Sequence, residues 1–73
     1  MQDYEIVLKA VHSVTGISTA KVLSRSRLWP VVEARMLFVL FMSRRGRHDE
    51  IIGWILKRHR STIYHIRHNG EDY

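Results

Sequence analysis

Cysteine is absent from this chain, and proline occurs once, at Pro30. Without thiols there is no disulfide framework and no thiolate metal site, which agrees with an intracellular, cytoplasmic protein. Only four glycines are present, Gly16, Gly46, Gly53 and Gly70, and no G-x-x-x-x-G-K-[ST] phosphate loop can be written from them. Long apolar runs are also missing. The most apolar stretch, Met36 to Met42, is short against the ~20 residues a membrane helix needs, with Arg35 before it and Arg44 after. No basic segment followed by an apolar one opens the chain, so no signal peptide is expected. No internal repeat, low-complexity run or second domain is visible. A domain of this size buries roughly 60% of the surface of its unfolded chain. It has little left to enclose a pocket of about 300 Å³ or more, so an enzyme is not expected, and neither is a cofactor.

Acidic residues are scarce as well. Seven Asp and Glu face twelve Lys and Arg, for a formal charge of +5 and a pI near 10.3. A polyanion is the default partner. The bias is local, because Arg25, Arg27, Arg35, Arg44, Arg45, Arg47, Lys57, Arg58, Arg60 and Arg67 all fall after residue 24. Charge alone favours nucleic acid only weakly over a solvated surface or a ribosome-like RNA contact, so the placement of the charges has to decide.

The chain divides into helical segments. Asp3 is suited to cap a first helix, 3–15, in which Ile6, Val7, Ala10, Val11 and Val14 form one apolar stripe and Gly16 supplies the stop. His12 lies at the edge of that stripe. Ser18 can cap a short helix, 18–24, carrying Val22 and Leu23. A basic loop, 24–29, follows as Ser24-Arg25-Ser26-Arg27-Leu28-Trp29, a composition that suits phosphates or a narrow minor groove as well as an ordinary exposed connection. Pro30 then opens a central helix, 30–45, with Trp29 as a staple at its entry. That helix is apolar on nearly every face, with Glu33 and Arg35 as exposed exceptions and Arg44 and Arg45 complementing the dipole at its end. Gly46 stops it.

The segment 49–69, DEIIGWILKRHRSTIYHIRHN, reads as two short helices around a basic turn. Asp49 is an N-cap candidate, and Ile51, Ile52, Ile55 and Leu56 recur at helical spacing. Lys57, Arg58 and His59 interrupt that pattern. From Arg60 the period resumes with Ile63 and Ile66 on one side, leaving Ser61, Tyr64, His65 and His68 on the other. A short helix with a hydrogen-bonding free face resembles the recognition helix of a helix-turn-helix, which lies in the major groove. Gly53, ten residues before Ile63, suits the close helix crossing of that motif. Arg58 stands where the motif often has an apolar residue. A tail, 70–73, is expected to fray.

In their order, Val22-Leu23-Ser24 before the basic loop, Ala34-Arg35, Ile52-Gly53 and Ser61-Thr62-Ile63-Tyr64-His65 resemble the C-terminal DNA-binding domain (domain IV) of the bacterial replication initiator DnaA. The resemblance spans about Tyr4 to Asn69. It implies an all-α, Trp repressor-like domain of four to five helices ending in a helix-turn-helix, with double-stranded DNA as partner. It also implies Arg27 in the minor groove, Arg35 on the DNA backbone, Ser61 and Thr62 at thymine methyls and phosphates, and His65 on the recognition helix. The chain departs from the family at the turn. Lys57-Arg58 replaces Gly-Gly, and His59-Arg60-Ser61-Thr62 replaces Arg-Asp-His-Thr-Thr. An altered DNA site is therefore expected, with Arg60 suited to a guanine. Without the initiator's ATPase, a phage, mobile-element or regulatory protein is implied, or a fragment of a larger one.

The expected DNA-binding set is Arg25, Arg27, Arg35, Lys57, Arg58, His59, Arg60, Ser61, Thr62, Tyr64, His65 and His68. Arg60, Ser61, Tyr64, His65 and His68 face the major groove, while Thr62 with Lys57 or Arg58 faces phosphate. If about five phosphates are neutralised, log K falls against log salt with a slope near −4 to −5. The competing reading is a protein-interaction module that keeps the fold without base readout, with Trp54 anchoring a partner or a second copy unless it closes the gap to the first helix. RNA binding lacks an RRM-type aromatic pair or GXXG clamp. A zinc site at His59, His65 and His68 lacks a completing ligand, and Ser61 with His65 lacks a group to orient the imidazole for catalysis.

Overall fold

The computed structural model describes residues 3–71, with side-chain surroundings through residue 68. It is all-α. The helices are α1 (Asp3–Thr15), α2 (Thr19–Val22), α3 (Trp29–Arg44), α4 (Asp49–Leu56) and α5 (Arg60–Glu71). No described helix is long and apolar enough to cross a membrane.

Helix α3 is the axis of the domain and packs against each of the other four. Its inward residues Ala34, Phe38, Val39 and Met42 meet Val7, Leu8 and Val11 from α1, Val22 from α2, Ile52 and Leu56 from α4, and Ile63 from α5. Burial of these side chains is the main stabilising term, since each of them larger than Ala34 contributes about 1.5–3 kcal/mol when removed from water. Helix α1 is rotated from the expected stripe. Tyr4, Val7, Leu8 and Val11 face the core, at i, i+3, i+4 and i+7, while Ile6 and Ala10 are exposed and Val14 is 70% exposed. Two apolar lines coexist in this helix, and packing on α3 selects the one that contains Leu8.

The helix ends follow their local chemistry. The Ser18 side chain accepts from the Lys21 N–H and caps α2, as expected, although α2 is shorter than anticipated and leaves Leu23 partly exposed beyond it. Gly16 (φ 76°) and Gly46 (φ 82°) take the left-handed conformation that stops α1 and α3. Past α3, Gly46 N–H donates to Ser43 O at 3.0 Å and Arg47 N–H to Met42 O at 3.1 Å, the paired bonds of a Schellman motif. Pro30 sits in the first turn of α3, but Trp29 remains half-exposed and does not staple the entry.

Two expected caps act differently. Asp3 lies in the first turn of α1, and its carboxylate takes Arg47 and, at 3.5 Å, Arg45, joining α1 to the connection after α3. The Arg47 contact, then the charges of Arg47 and Arg45, outweigh desolvation and hold the Asp3 pKa below its ordinary value. The N-cap of α4 is His48, with no side-chain bond, while Asp49 is the first helical residue. Asp49 instead binds Arg67 bidentately, at 3.1 Å to Nε and 3.0 Å to a terminal nitrogen. Helix α5 runs to Glu71, past the expected end at Asn69, so Gly70 and Glu71 belong to it; Asp72 and Tyr73 lie outside the described residues.

Candidate nucleic-acid interface

Residues 57–59 connect α4 to α5, and their geometry depends on Gly53. A Cβ placed on Gly53 would lie 2.5 Å from the Arg58 carbonyl oxygen and 3.4 Å from Ile63 Cγ1. No other residue type lets the turn and α5 come this close. The Arg58 N–H donates to Gly53 O at 2.8 Å and the Lys57 N–H to Trp54 O at 3.3 Å. Lys57 takes the left-handed position, with φ 57° and ψ 44°, that glycine usually fills. The turn thus keeps a glycine-type backbone while displaying an extra cation.

Helix α5 begins with a histidine cap. His59 Nδ1 accepts from the Ser61 backbone N–H at 3.1 Å and lies 2.8 Å from Ser61 Oγ. Ile63 is fully buried and Ile66 partly so, as their spacing implied. Arg60, Ser61, Thr62, Tyr64, His65 and His68 are all exposed. The Tyr64 ring is held in place by its neighbours, with the His68 ring 4.1 Å away and tilted, the His65 ring edge-on at 5.8 Å and the Arg67 guanidinium 5.5 Å over its face. Among the described residues, no three His, Asp or Glu side chains converge as a metal site.

The loop after α2 is a hydrogen-bonded structure rather than a loose connection. Ser24 Oγ donates to Lys21 O at 2.5 Å and accepts from the Ser26 N–H at 3.2 Å, and Ser26 Oγ accepts from the Leu28 N–H at 3.3 Å. Its inward carbonyls converge on Arg35. Arg35 Nε donates to Val22 O at 3.1 Å, and one terminal nitrogen donates to Ser24 O at 2.7 Å and Ser26 O at 3.2 Å. Arg35 is therefore not the exposed exception on α3 that the sequence suggested. It is 6% exposed and donates to the last carbonyl of α2 and to two loop carbonyls, so it builds the loop from beneath. Burial, and secondarily the Arg58 charge, lower its pKa, yet a guanidinium stays protonated. Because α3 is apolar on nearly every face, the sequence did not show which side of it turns inward. In the structure positions 31, 34, 35, 38, 39 and 42 share that side, and the charge at 35 is met by buried acceptors.

Arg58 joins the two parts. Its terminal nitrogen reaches Ser24 O at 3.5 Å, at the carbonyl that Arg35 also binds. Arg25 and Arg27 project from the tied loop as exposed side chains, and Lys57 is exposed on the neighbouring turn. The bidentate Arg67–Asp49 pair, which fastens α5 to the start of α4, gave no signal beyond opposite charges far apart in sequence. Trp54 does not close the gap to α1, because it is 84% exposed.

The fold thus defines a small all-α domain in which two short helices around a tight basic turn are seated on a central helix, beside an arginine-braced loop. No protein-family model, curated protein or solved structure matches the chain, so its likeness to the DnaA domain rests on the residues quoted for it above.

Proposed function

We propose that this chain binds double-stranded DNA with a sequence preference, α5 lying in the major groove as in a helix-turn-helix. The observation that carries the reading is the division of α5. One side spends Ile63 and Ile66 on the core, and the other presents Arg60, Ser61, Tyr64, His65 and His68, every one able to hydrogen-bond. A free surface of this kind has no role in packing. Lys57 and Arg58 flank the helix start and suit phosphates, as does Thr62. The braced loop offers Arg25 and Arg27 at little further entropic loss, and Arg27 suits a narrow minor groove. Arg35 acts from below the loop and is not assigned a phosphate. The resemblance to the DnaA domain supports the same assignment. Replacement of the Gly-Gly turn and of the acidic residue after it in the family pattern supports a different DNA site.

The test is a fluorescence-anisotropy titration of a random-sequence duplex pool at two salt concentrations, with the bound fraction sequenced. With about four to five cations on phosphate, log K is expected to fall against log salt with a slope near −4, and a motif is expected to be enriched. Arg60→Ala should relax the motif at one position, and Lys57→Ala should weaken all sequences alike. A flat salt response removes the proposal, because no other interaction available to these residues would carry the affinity.

A further inference from the structure

Trp54 has no place in the core or in the DNA reading. The buried side of α4 is Ile52, Gly53 and Leu56. Trp54 stands on the opposite side at 84% exposure, with Ile51 beside it at 44%. Shallow grooves approach the indole from several directions. Their apolar margins come from Tyr4, Leu23, Ile51 and Ile55. A rigid indole standing between apolar grooves is the form a binding anchor takes, since Trp combines large contact area with few rotamers.

Charge selects among the possible occupants. Lys57, Arg58 and Arg60 border the grooves, together with Glu50 and the Asp3–Arg47 pair, whose charges cancel. The surround is net positive. A second copy of the chain, docked about a two-fold axis, would bring the same cations together, which opposes self-association. A single nucleic-acid strand needs successive aromatic platforms, and the one other Phe, Tyr or Trp ring at the grooves, Tyr4, is partly buried against the core. An acidic amphipathic segment satisfies both the apolar margin and the basic one.

We propose that the outer face of α4 docks an acidic segment of another protein. Its bulky apolar side chains would sit in the grooves beside Trp54, and its Asp or Glu side chains would meet Lys57, Arg58 and Arg60. The inference does not rest on DNA binding, because the apolar anchor, Trp54 with Ile51, is outside the assigned DNA contacts; Lys57, Arg58 and Arg60 are shared with them, so the acidic segment and DNA would compete.

The test uses the whole chain carrying Trp29→Phe, so that Trp54 is the only tryptophan. A display library of random peptides about four helical turns long is panned against it, with counter-selection on the same chain carrying Trp54→Ala, whose fold is verified by circular dichroism. Enriched peptides are expected to be net acidic with bulky apolar residues at helical spacing. The synthesised consensus peptide should blue-shift Trp54 emission saturably. Its affinity should fall about tenfold or more on Trp54→Ala, and likewise when its Asp and Glu are replaced by Asn and Gln. Failure to enrich over Trp54→Ala, enrichment of basic peptides, or unchanged affinity for the variant would overturn the proposal. So would a concentration-dependent blue shift of the chain alone with dimer in sedimentation, which makes the occupant a second copy. An equal shift with an oligothymidine strand would overturn it too, by making Trp54 a stacking platform.

Discussion

Two residues of the candidate interface illustrate opposite local problems. Lys57 holds a left-handed backbone that an L side chain adopts at a cost of about 1–2 kcal/mol. Lys57→Gly is expected to raise stability by about 0.5–1 kcal/mol in urea unfolding, a gain limited by the extra freedom glycine has when unfolded. The same variant should make the DNA salt slope shallower by about 1, which separates the backbone role of the position from its charge. Arg35 has a relaxed backbone but a buried charge, satisfied by the Val22 carbonyl at the end of α2 and by two loop carbonyls. Arg35→Met fills similar space and abandons those acceptors, so a loss of about 2–3 kcal/mol is expected. Since Arg35 is assigned no phosphate, Arg35→Met should weaken DNA binding through Arg25 and Arg27. Adding Arg27→Ala to Arg35→Met should then lower affinity less than it does alone, in a double-mutant cycle.

At the scale of the elements, the turn between α4 and α5 works because the two helices approach at Gly53. Alanine has the higher helix propensity by about 1 kcal/mol, and in an ordinary helix Gly53→Ala would stabilise. Here the added methyl would stand 2.5 Å from a backbone carbonyl oxygen, which no rotamer change can relieve. A net loss of about 1–3 kcal/mol is expected in thermal or urea unfolding, with hydrogen exchange fastest at the α5 amides. The Arg67–Asp49 pair adds a second tie to the same helix, near its other end. Helix α5 is thus positioned through Ile63 near its start and a bidentate ion pair farther along, and its outward face is left free of packing duties.

For the whole molecule, the ion pairs from Asp3 to Arg45 and Arg47 link the beginning of the described chain to the connection after α3. The lowered Asp3 pKa sets the sign of the pH dependence. The carboxylate's contribution is fully present above its ordinary value, near 3.8, and is lost as pH falls through the depressed folded value. The melting temperature of Asp3→Asn should therefore lie below that of the parent at neutral pH, and the two curves should converge in strong acid. A gap that stays constant with pH would mean that Asp3 acts through its hydrogen bonds in either protonation state.

Much of this architecture is local and could be read in one dimension. The stops at Gly16 and Gly46, the Ser18 cap, the break at 57–59 and the inward pair Ile63 and Ile66 follow from glycine stereochemistry, hydroxyl capping and a 3.6-residue period, each of which acts within a few residues. What was not legible required knowing which surfaces meet. Helix α1 carries two apolar lines, and contact with α3 buries Tyr4, Val7, Leu8 and Val11 in preference to Ile6 and Val14. Arg35 becomes a buried brace only when the carbonyls of residues 22, 24 and 26 fold over it, and Asp49 exchanges a cap for Arg67, eighteen residues away. Trp54 is exposed because α1 and α3 are already packed without it. By itself the sequence determined an all-α chain with a basic turn and a polar-faced last helix, since these are properties of single segments. Only the tertiary structure decided which charges are spent holding the molecule together and which remain available to a partner, because burial and pairing belong to distances between segments.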